Sequence, residues 1–264
     1  MSFLSTLGRS AANLFVGFVV ACQFLTRLPM PRVIFAPDSL ARAAAFFPVV
    51  GMALGAGAAL LHKLLAPHFN RTLSALGIVI ALVLVTGGLH EDGLADTADG
   101  FGGGRDREHI LLILRDSRIG SYGALALILS TLARLLLIAS VPLEHVPAYL
   151  VTSQTLCRWS PLPLSLLPAA RVPGSEAGSE TGQGARLAQR ASRRVLLTGS
   201  LLAGLIGFAA LRSRVIAPIL LTIAIVALSA RYFLRKIGGV TGDCFGATIQ
   251  LTEIAVLCCG AWVA

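Results

Sequence analysis

The chain has 264 residues, of which 55% are hydrophobic and only 13% charged. Soluble domains carry about 25% charged residues, so an ordinary water-soluble surface is excluded and a lipid-covered one is expected. The net charge is +9 and most basic residues are Arg, which suits a basic cytoplasmic face or a polyanionic substrate; with no soluble basic module, nucleic acid is not an expected partner.

Charge, proline and glycine divide the chain into apolar runs at 12–26, 43–62, 74–90, 121–141, 147–167, 195–211, 215–231 and 245–264. At roughly 20 residues per crossing, these predict an all-α fold: a polytopic transmembrane helical bundle of about 7–8 spans, with a short amphipathic surface helix. One domain over 1–264 is expected. The first run follows Arg9 and ends at Thr26-Arg27-Leu28-Pro29. It lacks a clear small-residue cleavage site and is read as a retained span, not a signal peptide.

Eight spans create seven loops. The odd-numbered loops hold 15 basic residues and the opposite side five, which puts the odd loops in the cytoplasm and both termini outside. Those loops are also the long, polar ones. Residues 91–120 hold seven of the 13 acidic residues. Residues 170–194, rich in Gly, Ser, Glu and Arg, read as a mobile loop running into a basic helix start. The chemistry is therefore expected on one face. The five cysteines, Cys22, Cys157, Cys244, Cys258 and Cys259, form no CxxC pair and read as small core residues in a reduced setting.

The third run leads into His90-Glu91-Asp92-Gly93-Leu94-Ala95-Asp96-Thr97-Ala98-Asp99-Gly100-Phe101-Gly102-Gly103-Gly104. Asp92, Asp96 and Asp99 stand at i, i+4 and i+7, an arc of about 60° on a helix. Like charges so placed repel, and near a bilayer their cost rises. A cation relieves both, and carboxylates suit Mg²⁺, Mn²⁺ or Ca²⁺. Glu91 and Asp92 alone would fit a helix start; Asp96 and Asp99 lie too far along. Gly100 and Gly102 to Gly104 are expected to end the helix, and His90 to sit at the boundary of the span.

Next comes a short amphipathic stretch, Ile110 to Leu114, and then Arg115-Asp116-Ser117-Arg118-Ile119-Gly120-Ser121-Tyr122-Gly123. Asp116 either joins the metal cluster or forms a local ion pair. Arg115 and Arg118 either clamp phosphate or anchor the cytoplasmic face. Arg134 and Arg158, inside apolar runs, each need an anionic partner. The last polar motif is Gly238-Gly239-Val240-Thr241-Gly242-Asp243-Cys244-Phe245-Gly246. Asp243 is either a helix cap or a site residue beside Thr241, and Gln250 and Glu253 are expected to face the bundle interior.

The run from Leu89 to Gly100 and the run from Arg115 to Gly123 resemble the cobalamin synthase family, the adenosylcobinamide-GDP ribazoletransferases. Phe24 to Pro29, Phe46-Phe47-Pro48 with Gly51, and Gly238 to Gly246 are similar as well, so the resemblance spans nearly the whole chain. Glu91 departs from it, standing where an apolar residue such as Leu is expected.

The resemblance implies a Mg²⁺-dependent enzyme of the bacterial cytoplasmic (inner) membrane, its active site facing the cytoplasm. Such an enzyme joins adenosylcobinamide-GDP to α-ribazole or its 5′-phosphate and releases GMP. Asp92, Asp96, Asp99 and Asp116 would be metal ligands, with Asp96 or Asp99 as general base. Arg115, Arg118, Arg158, Thr241, Asp243 and Glu253 would contact substrate. The implied partners are the two substrates, the lipid bilayer and other cobalamin-assembly enzymes. The acidic motif also partly resembles that of CDP-alcohol phosphotransferases, but Ala95-Asp96 stands where those have Ala-Arg. A metal or solute transporter is the remaining alternative; the acids cluster at a loop-facing end and no internal repeat is present, against that class.

Overall fold

The computed structural model describes residues 2–33, 39–116, 118–170 and 192–262, with side chains from Leu14 onward. Ser117 and most of the loop expected over 170–194, including Arg171, Arg186 and Arg190, lie outside the described residues. The rest is helical, as expected; among the described residues the β contact is one parallel bridge between Ala169 and Val240.

The helices are α1 (Ser2–Leu25), α2 (Ser39–Ala43), α3 (Phe47–Leu65), α4 (Arg71–Thr86), α5 (Leu89–Gly103), α6 (Arg107–Ile113), α7 (Ser121–Ser140), α8 (Val146–Trp159), α9 (Pro161–Leu164), α10 (Arg193–Leu211), α11 (Ile216–Ile237) and α12 (Gly242–Trp262). Local chemistry sets their ends. Asn70, Asp106 and Ser192 accept the backbone N–H of Leu73, His109 and Val195 at the starts of α4, α6 and α10, satisfying donors that a helix start leaves open. Between α4 and α5 stand Gly87 and Gly88 with φ of 68° and 72°, a left-handed pair that only glycine adopts without strain. The axis turns there by 89°. The run expected to continue through His90 therefore breaks at Thr86.

Among the described residues, four helical segments are long and apolar enough to cross a membrane: Ser39–Leu65, Ser121–Ser140, Arg193–Ile237 and Gly242–Trp262, or up to five if α4 and α5 form one bent span. By length and composition alone this is fewer than the 7–8 spans read from the sequence, and α8 and the α10–α11 pair account for part of the difference. Helix α8 is only 14 residues long and spends its length on Thr152, Ser153, Gln154, Thr155 and Arg158, all buried in the bundle. Helices α10 and α11, joined by a 3-10 turn at Arg212–Val215, count as one apolar stretch of 45 residues although they run in opposite directions. Large apolar side chains such as Leu84, Leu136, Leu197, Leu205 and Leu220 point outward, as lipid contact requires. Cys22, Cys157 and Cys244 are buried as expected, but Cys258 is exposed and Cys259 partly so; the outer face of α12 accepts a thiol because its solvent is lipid.

Contacts at the helix ends show how the chain is threaded. At one end, the Arg27 N–H donates to the Val85 carbonyl, Arg107 Nε to the Ile237 carbonyl (2.9 Å), and the Ala170 N–H to the Val240 carbonyl. At the other end, Arg71 donates to the Val141 carbonyl, and Arg214 meets His145 at 2.6 Å. Helices α3, α4, α7, α8, α10, α11 and α12 thus run alternately between these ends. The described parts of the long polar loops gather at the first end, on one face as the charge pattern predicted.

The core is closest where α3 crosses α8. A Cβ on Gly51 would sit inside the contact distance of the Gln154 carbonyl, and one on Gly55 would meet Val151 and Leu150. Gly51→Ala is therefore expected to destabilise the fold by about 1–3 kcal/mol through overpacking. Thermal unfolding in detergent checks this; an unchanged midpoint would mean the helices do not touch there.

Candidate active site

Helix α5 carries the acidic stripe, and the helix runs through all three aspartates as their spacing predicted. Their burial is graded: Asp92 is exposed, Asp96 half-buried and Asp99 buried. The stripe thus leads from solvent into the protein. The glycines after it do not end the helix at Gly100; α5 continues through Gly103 and stops at Gly104, which is extended. Gly100 packs under Leu114, and Gly102 against the Tyr122 ring. Their small size brings α6 and the start of α7 onto α5.

Asp99 has a defined structural task. Its Oδ2 accepts the Gly120 N–H at 2.7 Å and its Oδ1 the Gly123 N–H at 2.8 Å. These are open donors at the start of α7, where the helix dipole also favours a carboxylate. A Cβ on Gly120 or Gly123 would collide with that carboxylate. The two glycines of the Arg115–Gly123 motif are thereby explained.

A fourth acid arrives from α12. A Cβ on Gly93 would meet Asp243 Cα at 3.1 Å and Gly246 Cα at 3.2 Å, so α5 and α12 touch backbone to backbone. This brings Asp243 beside the stripe, and Asp96 interacts electrostatically with Asp243, Asp92 and Asp99. Capping of α12 falls on Thr241, whose hydroxyl accepts the Cys244 N–H at 3.4 Å and meets Asp243 Oδ2 at 3.2 Å. Asp243 lies inside the first turn, not at the cap, close enough to the stripe to interact electrostatically with Asp96.

The remaining candidates separate. Asp116 is held by Arg118, with Arg118 Nη2 at 2.6 Å and Nε at 3.0 and 3.1 Å from its oxygens. That pair lowers the Asp116 pKa to about 2 and occupies the Arg118 guanidinium. Arg115 is exposed. Arg158 is buried, donating to the Gln154 side-chain oxygen and to Cys157 Sγ at 3.0 Å. Glu253 is buried, with Oε2 at 3.7 Å from Arg134 Nη1; Gln250 is buried nearby as expected.

Two residues escaped the sequence reading. Glu91 turns inward, and its Oε1 lies 2.9 Å from Arg134 Nη2. His90, expected at a boundary, is buried. Arg134 thus bridges α5, α7 and α12, and an Arg inside an apolar run was the signal that a buried acid must face it.

Among the described residues no group of three or more His, Cys, Asp or Glu side chains is arranged to hold a metal ion by itself. Mg²⁺ seldom uses such a cage; it takes one or two carboxylates and completes its shell with water and substrate phosphate. The Asp92 and Asp96 carboxylates carry no hydrogen bond or ion pair among the described residues. They stand beside two further carboxylates, so the donor chemistry fits.

Known proteins resemble this chain over most of its length. The family model described as cobalamin-5-phosphate synthase matches residues 17–261. A Sinorhizobium protein named adenosylcobinamide-GDP ribazoletransferase is 44% identical, covering 89% of this chain and 91% of its own. Relatives of the same name from Azorhizobium caulinodans and Ralstonia nicotianae are 42% and 38% identical, each covering 90% of this chain and 92% of its own length. No solved structure matches significantly. With the acidic helix, the glycine-packed start of α7 and the α12 motif all inside the matched range, the chain belongs to the cobalamin-5-phosphate synthase family.

Proposed function

We propose that this membrane enzyme transfers the adenosylcobinamide-phosphate moiety of adenosylcobinamide-GDP to α-ribazole or its 5′-phosphate, releasing GMP. The observation that carries this reading is the meeting of Asp92, Asp96 and Asp99 from α5 with Asp243 from α12 at the polar-loop end of the bundle. We place that end in the cytoplasm of a bacterial inner membrane, from the excess of basic residues in its loops. There, other enzymes of cobalamin assembly would hand over the donor.

Asp92 and Asp96, with Asp243 beside them, are the residues we assign to a Mg²⁺ ion: the first two as its ligands, the rest of its shell being water and substrate phosphate. The chemistry a bound Mg²⁺ supplies is neutralisation of the diphosphate as negative charge builds on departing GMP. An acceptor hydroxyl attacks the phosphorus attached to the cobinamide. The new P–O bond forms as the P–O bond to GMP breaks. Asp96 is the better placed general base, because both oxygens of Asp99 already accept backbone N–H groups. Arg115 is the arginine we assign to phosphate, since Arg118 is committed to Asp116.

Purified chain in lipid nanodiscs should release GMP from adenosylcobinamide-GDP only when α-ribazole is added. Chelation should remove at least 90% of that rate, roughly one order of magnitude or more for a metal-assisted step, and Mg²⁺ should restore it. Folded protein that turns over a CDP-alcohol instead would overturn the assignment.

A further inference from the structure

Helix α5 has a second face. At about 100° per residue, Leu94, Thr97, Ala98 and Phe101 line the side opposite Asp92, Asp96 and Asp99. Beneath that side is a cavity of about 620 Å³, walled by these four residues together with Leu228, Ser229, Arg231, Tyr232, Phe233 and Arg235 of α11 and Ala247 and Leu251 of α12. The acidic stripe and the cavity share one helix but not one face. A substrate reacting at the carboxylates is on the wrong side of α5 to fill it.

Its walls describe another occupant. They are mostly apolar, and α11 and α12 belong to segments long and apolar enough to cross the membrane. Phe101, Tyr232 and Phe233 form a ring cluster with centroids 5.2 to 6.2 Å apart. Two cations, Arg231 and Arg235, stand one turn apart near the end of α11, at the level of the polar loops, and no acidic residue lines the cavity. Neither Arg has an acidic partner among the described residues. The Thr97 hydroxyl is buried without a hydrogen-bond partner, which costs about 1–3 kcal/mol unless something outside the chain satisfies it. The volume lies in the range of ligand cavities. An apolar trough ending in two unpaired guanidiniums complements an acyl chain joined to a phosphate.

We propose that this cavity binds one anionic phospholipid, its acyl chain under α5 and its phosphate on Arg231 and Arg235. The lipid braces α5 from below, and through it the carboxylates above. Zwitterionic lipid satisfies the trough but leaves the two positive charges unbalanced, so the anionic class is the occupant.

The test uses the full chain in nanodiscs of phosphatidylcholine alone or with phosphatidylglycerol. Native mass spectrometry, run without substrate, reads the lipid retained. GMP release is read separately, so a failed lipid result and a failed reaction assignment are distinguishable. Wild-type protein should keep one phosphatidylglycerol and lose at least fivefold in rate without it. The Arg231→Gln/Arg235→Gln protein should keep none and show the same rate in both discs. Ala98→Phe, which fills the trough while leaving both Arg, should also release the lipid. Equal retention by wild type and variants, or no preference for the anionic lipid, overturns the proposal. So does a raised KM for ribazole phosphate with lipid retention unchanged, since the cavity would then hold substrate.

Discussion

Asp96→Asn is expected to abolish acceptor-dependent GMP release while leaving the fold intact. The Asp96 carboxylate is half-buried and has no hydrogen-bond or ion-pair partner among the described residues, so no structural contact is lost with its charge. What is lost is a ligand and the proposed base, and removing one preorganised electrostatic group costs about 10²–10³-fold in rate. Asp99→Asn makes the contrast. An amide has one acceptor oxygen where the carboxylate has two, so either the Gly120 or the Gly123 N–H faces an NH₂ group. That leaves a buried donor unsatisfied and should cost about 1–3 kcal/mol of stability. Thermal unfolding and single-turnover GMP release, measured on both variants, separate the roles. Asp96→Asn should lose rate at constant melting temperature; Asp99→Asn should lose both. Wild-type rates from folded Asp96→Asn protein would remove Asp96 from the reaction.

The same contrast shows what was legible in the sequence. Spacing at i, i+4 and i+7 placed three aspartates on one helical stripe, because helical periodicity is local. The gradient from exposed Asp92 to buried Asp99 was not readable, since it depends on where α7 ends up. Glu91 looked like an ordinary first-turn acid. It turns inward because Gly87 and Gly88 swing α5 by 89°, and left-handed glycines give no direction in advance. Asp243 looked like a cap because it opens an apolar run, but the helix begins one residue earlier and Thr241 takes that task. The glycines at 93, 120, 123 and 246 were visible; their partners were not. The loop arrangement was the most legible feature, because basic-residue bias is a property of composition and needs no contacts. The number of membrane-length helices was less legible, since α8 is shortened by the polar residues it buries.

Arg134→Met is expected to be the most destabilising single substitution in the bundle. Arg134 is 1% exposed and faces two acids, Glu91 at 2.9 Å and Glu253 at 3.7 Å. Methionine fits the volume but leaves both carboxylates buried without a cation. Breaking a buried ion pair from one side costs about 3–5 kcal/mol, and the second acid adds to the imbalance. Replacing all three, as Glu91→Gln/Arg134→Met/Glu253→Gln, removes the charges together and should recover most of that loss, because the desolvation penalty of the network disappears with it. Denaturant unfolding in detergent measures both. A single variant within about 0.5 kcal/mol of wild type, the range of an unremarkable surface change, would mean the triad is not formed. The triple variant carries a second consequence. Glu91 ties α5 to α7, and Glu253 ties α12 to α7; the two helices that bring Asp92, Asp96 and Asp243 together are thus both fastened to one guanidinium. A triple variant that regains stability but not GMP release would show the buried triad sets the position of the carboxylates above it, beyond holding the bundle together.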